Sequence, residues 1–96
     1  EIYYDGSSYI GDLLNGQPNG FGIRVYVNRD AYIGTFENGL PEGQGAIVYL
    51  NSGSCYHGQF HNNQLNGRVT YIIGKDGSVY HNMYKNGTYE GTAPAL

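Results

Sequence analysis

The chain has 96 residues and a formal net charge of −3, with 40% hydrophobic residues, 16 glycines, 11 tyrosines and no tryptophan. That length suits one small domain with a modest core. Arg24, Arg29, Arg68, Lys75 and Lys85 form no cluster able to neutralise a row of phosphates, which excludes a nucleic-acid binder.

No apolar run approaches the roughly 18 residues that a membrane-spanning helix needs, and no signal-peptide pattern opens the chain, so it reads as soluble. The single Cys55 precludes an internal disulfide and fits a reducing, cytoplasmic compartment. The glycines lack the three-residue period of collagen. They follow a longer repeat instead, and the chain opens inside it, as a segment of a longer protein would.

Residues 1–8 read as the end of a preceding partial repeat, closed by the turn Asp5-Gly6-Ser7-Ser8. The first full unit, 9–31, starts at Tyr9-Ile10-Gly11 and continues through Leu13, Asn15-Gly16, Gly20, Gly22 and Tyr26 to a turn at Asn28-Arg29-Asp30. The second, 32–55, repeats the order with Tyr32-Ile33-Gly34, Phe36, Asn38-Gly39, Gly43, Gly45 and Tyr49, and turns at Asn51 to Ser54. The third, 56–79, has Tyr56-His57-Gly58, Phe60, Asn62-Asn63 and Gly67, but Val69 stands where a second glycine is due. Residues 80–96 form a partial fourth unit and a tail, with Tyr80-His81-Asn82, Tyr84, Asn86-Gly87, Gly91 and Ala93. A glycine follows every anchor tyrosine after eleven residues, and the period changes from 23 to 24 residues inside a turn, where length changes are tolerated.

Alternation with period two, tyrosine and β-branched residues, and Asn-Gly between the halves of each unit make each repeat a β-hairpin. Stacking about four hairpins gives an all-β solenoid roughly 40 Å long at about 4.8 Å per strand. Parity sorts the side chains onto two faces. Face A carries Tyr9, Arg24, Tyr26, Tyr32, Phe36, Tyr49, Tyr56, Phe60, Tyr71, Tyr80 and Tyr84, with glycines between them. A ring is expected to lie over a neighbouring strand's bare backbone at those glycines. Face B varies more, with the apolar stripe Val25, Val48 and Ile72 and the histidines His57, His61 and His81.

Tyr-x-Gly-x-aromatic followed by Asn-Gly and then Gly-x-Gly, in four units from Asp5 to Gly91, resembles the MORN (membrane occupation and recognition nexus) repeats. The resemblance implies an elongated, single-layer, twisted antiparallel sheet. It also implies a protein-binding scaffold, often homodimeric, found at membrane junctions and cytoskeleton, with phospholipid binding proposed for the family.

The residues themselves give no catalytic constellation and no cofactor site. Asp12, Asp30, Glu37, Glu42 and Asp76 read as isolated and solvated. Cys55, His57 and His61 share a face, but their strand spacing would require a second chain to complete a metal site. The leading expectation is a non-catalytic platform whose aromatic groove on face A takes a peptide or helix. Its contacts are Tyr9, Arg24, Tyr32, Phe36, Tyr56, Phe60, Tyr80 and Tyr84. The alternative is a homo-oligomerisation module packed through Val25, Val48 and Ile72. Peripheral lipid attachment ranks below both, because an acidic chain gains little from anionic headgroups.

Overall fold

The structure is a computed structural model and describes residues 6–93. The partial repeat expected at residues 1–8 and the tail beyond Thr92 therefore lie partly outside the described residues. Eight strands, β1 (Ser8–Leu14), β2 (Gln17–Val25), β3 (Asp30–Glu37), β4 (Leu40–Tyr49), β5 (Ser54–His61), β6 (Gln64–Ile72), β7 (Val79–Lys85) and β8 (Thr88–Thr92), form one open antiparallel sheet in chain order. The sheet measures 41 × 25 × 19 Å. It is the single-layer stack of hairpins that the repeat predicts.

Turn chemistry fixes each hairpin. Asn15-Gly16, Asn38-Gly39, Asn62-Asn63 and Asn86-Gly87 all have positive φ at both positions, for example 52° and 86° at Asn38-Gly39. Two consecutive left-handed residues define the two-residue turn whose twist matches the flanking strands, and Asn and Gly are the residues that adopt it with least strain.

The glycine eleven residues after each anchor tyrosine has a separate reason. Gly11 lies opposite Gly22 and Leu13 opposite Pro18, so β2 carries two extra residues against β1. The same irregularity recurs between β3 and β4 and between β5 and β6. Gly20, Gly43 and Gly67 stand in these bulges with φ of 92°, 87° and 85°, a backbone that a side chain disfavours.

The other connections differ in length. Tyr26 N–H donates to Asp30 O at 2.8 Å around three residues, whereas Ile73 N–H donates to Ser78 O at 2.9 Å around four. The change of repeat period falls there, as the sequence implies.

Register aligns the repeats into rows across the sheet. On face A, Tyr9, Arg24, Tyr32, Ile47, Tyr56, Tyr71 and Tyr80 face one another from strand to strand, beside the row Gly11, Gly22, Gly34, Gly45, Gly58, Val69 and Asn82. Tyr9, Tyr32, Phe36 and Phe60 are the buried core cluster, with Tyr26, Ile47 and Leu65 packed against it. A single sheet thus makes a core from one of its own faces.

Candidate protein-binding surface

The core explains what remains open. A Cβ at Gly22 would stand 2.3 Å from the Tyr9 hydroxyl oxygen, and one at Gly45 would stand 2.3 Å from that of Tyr32. Each ring therefore lies on the bare backbone of the next strand. Its hydroxyl donates to a carbonyl three residues on, Tyr9 to Asp12 O at 2.7 Å and Tyr32 to Thr35 O at 2.9 Å. Burial pushes the Tyr32 hydroxyl up to about 12.

Phe36 fills the space between successive tyrosines, edge-on to Tyr9 at 5.2 Å and to Tyr32 at 5.0 Å, and Phe60 meets Tyr32 at 5.0 Å. Such edge-to-face pairs add about 0.5–1.5 kcal/mol each beyond the area they bury. Tyr9, Tyr32, Phe36 and Phe60 are only 1–3% exposed. This corrects the expectation of an open groove along all of face A: these four contacts of the expected eight are internal packing.

The pattern changes at the third repeat, where the glycine slot holds Val69. Val69 is fully buried and its side chain occupies the place over which Tyr56 would lie. Tyr56 stacks instead on Tyr71, with centroids 4.4 Å apart and planes at 22°. It also meets Tyr49 at 6.0 Å and Tyr84 at 6.3 Å, and Tyr84 meets Tyr89 at 5.8 Å. Tyr56, Tyr71 and Tyr84 are half-buried, while Tyr80 and Tyr89 are 51% and 55% exposed. Burial raises the hydroxyls of Tyr49 and Tyr56 above the usual tyrosine range.

Arg24 lies half-buried at the other end of the same row. Its guanidinium carbon is 5.3 Å from the Tyr26 ring centre, and it donates to Ser7 Oγ at 3.1 Å. Of the residues expected to contact a partner, Arg24, Tyr56, Tyr80 and Tyr84 thus retain accessible surface. Tyr71 and Tyr89 join them by position.

On face B, Val25, Ala31, Val48, Cys55, Ile72 and Val79 form one row. The apolar stripe Val25, Val48 and Ile72 is therefore spaced by small residues. Next to it runs Ile10, Ile23, Ile33 and Ala46, then His57, Thr70 and His81, so this face changes from apolar to polar along the sheet. Ile10 is 76% exposed.

Glu42 is not isolated. It accepts the Asn62 N–H at 3.1 Å and meets His61 Nδ1 at 2.9 Å, and these two contacts, the first the larger, hold its carboxyl below the usual range. Asn19 and Asn66 hold the equivalent turns of the repeats that follow their own, at Asn38 and Asn86. Sequence reasoning passed over these three caps, although each lies just before a bulge glycine. Among the described residues, no three His, Cys, Asp or Glu side chains converge as metal ligands, and no helix is long and apolar enough to cross a membrane.

An open sheet of stacked hairpins with rings on glycine and turns on carbonyls defines a repeat-based binding or scaffold module. The MORN repeat profile matches residues 9–31, 32–53 and 56–72, and the chain belongs to that family. No curated protein matches the chain.

Proposed function

We propose that the chain is a non-catalytic protein-binding scaffold and that a peptide or helix of a partner docks on the tyrosine-rich end of face A. One observation carries the reading: the rings of Tyr49, Tyr71, Tyr84 and Tyr89 connect around Tyr56, which meets Val69 where its counterparts Tyr9 and Tyr32 lie on glycine. Tyrosine gives large contact area and a polar tip for two side-chain torsions, which is why it recurs at binding hot spots. MORN repeats are in general non-catalytic. A cytoplasmic setting, peripheral to membrane or cytoskeleton, belongs to the same proposal.

Peptides selected from a displayed library on the intact chain supply the probe. Tyr71→Ser and Tyr80→Ser should each weaken the selected peptides about tenfold or more, with circular dichroism unchanged. Val25→Lys, on the other face, should leave them bound. Peptides indifferent to both tyrosines would end the proposal.

A second reading rests on the exposure of Ile10, Val25 and Val27, at 76%, 37% and 66%. Exposed apolar surface of this kind marks interaction faces, and two copies packed through Val25, Val48 and Ile72 would cover it.

A further inference from the structure

We propose that the segment docking on face A is proline-rich and in the polyproline II conformation, lying across β4 to β7 with a basic residue at the end beside Asp30. This rests on the reading of face A given above and names the chemistry of its partner. The backbone of the surface decides against one other shape at once. β4, β5 and β6 each pair on both sides, so they leave no row of free N–H and C=O groups for an extended strand to join.

What the surface presents is aromatic area and hydroxyl groups. Tyr56 stacks on Tyr71 with centroids 4.4 Å apart and meets Tyr49 edge-on at 6.0 Å, and all three are half-buried. The hydroxyls of Tyr49 and Tyr71 have no hydrogen-bond partner among the described residues, so they are donors in search of acceptors. A helical ligand spends its carbonyls on its own N–H groups. A polyproline II segment keeps its carbonyls free and is stiff before it binds, so little conformational freedom is lost on contact.

Spacing and charge point the same way. A polyproline II helix advances about 9.3 Å in a three-residue turn, at about 3.1 Å per residue. One hairpin occupies two strand widths, about 9.6 Å. Positions one hairpin apart, Ile47 with Tyr71 or Tyr56 with Tyr80, therefore meet ligand residues three apart, and a proline at every third position rests on an equivalent row. Register and alternation put no charged side chain on this face of β4 to β7, which suits the uncharged body of such a ligand. Asp30 lies opposite Tyr49 at the border of the surface, with its Oδ2 held by Asn28 Nδ2 at 3.1 Å. That carboxylate is the partner for an arginine placed ahead of the first proline.

NMR titration of the full chain with the synthetic peptide Arg-Pro-Leu-Pro-Pro-Leu-Pro-Pro, blocked at both ends, tests this. Binding should shift the resonances of Tyr49, Tyr56 and Tyr71, and a version with every proline replaced by glycine should bind about tenfold more weakly or worse. Tyr71→Phe removes one hydroxyl without altering the ring, and should weaken the peptide about threefold or more. Asp30→Asn should abolish the advantage of the arginine-bearing peptide over one with alanine in its place. The inference is overturned by a silent titration at millimolar peptide, by equal binding of the glycine version, or by shifts confined to Val25, Val48 and Ile72. Library peptides that depend on Tyr71 and Tyr80 yet contain no proline overturn it alone and leave the scaffold standing, whereas library peptides indifferent to both tyrosines end both.

Discussion

Tyr32 and Gly45 act as one unit, since the ring occupies the volume that any side chain at position 45 would need. Gly45→Val should therefore lift Tyr32 from the backbone, break its bond to Thr35 O and disturb Phe36 and Phe60. Overpacking with a lost hydrogen bond is expected to destabilise the chain by about 2–4 kcal/mol, read from urea unfolding midpoints. An unchanged midpoint would mean that the ring is not held by that contact. The tyrosine-glycine pairing was legible in the sequence because both residue types recur at one period, and parity alone puts them on one face. What parity cannot give is depth. Tyr9 and Tyr80 are equivalent in the repeat, yet one is 2% and the other 51% exposed, because Phe36 of the next hairpin packs on Tyr9 and no ring among the described residues takes that place beside Tyr80.

A hairpin is joined to the next at its tip as well as along its strands. In the second repeat that tip is held by a charge, as Glu42 accepts from Asn62 N–H and pairs with His61. Its carboxyl lies below its unfolded value, so the contribution is fully present above the ordinary carboxylate range and is lost as pH falls through the lowered folded value. Glu42→Gln should be less stable than the parent chain at pH 7, and the difference should shrink below the ordinary carboxylate range and vanish once pH has fallen through the lowered folded value. Urea titrations at several pH values check this, and a gap that persists in acid would remove the charge from the account. The Glu42 to His61 contact was illegible because it spans 19 residues and two hairpins, whereas the turns themselves were read from adjacent Asn and Gly.

Across the whole molecule, packing is uneven. The buried cluster runs from Tyr9 to Phe60, while the last hairpin has Asn82 and Ala93 where glycines stand earlier and ends in a strand of five residues. Repeat arrays lose structure unit by unit when neighbouring interfaces differ in strength. Native-state hydrogen exchange should find β8 amides opening about 100-fold more readily than those of β3 to β5, a gap of roughly 2.7 kcal/mol. Uniform protection would show a single cooperative unit instead.

The two long rims of the sheet are not alike. Along one, each two-residue turn is stitched to its neighbour through a backbone carbonyl and a side-chain cap. Along the other, connections of three and four residues coexist without disturbing the rows, and they are joined at only two points, Leu50 N–H to Arg29 O at 3.2 Å and Gly74 N–H to Ser54 Oγ at 2.9 Å, among the described residues. Evolution, or a protein engineer, can therefore vary loop length along one margin at positions outside those two bonds, such as the stretch from Lys75 to Gly77, while the opposite side is a seam of uniform turns.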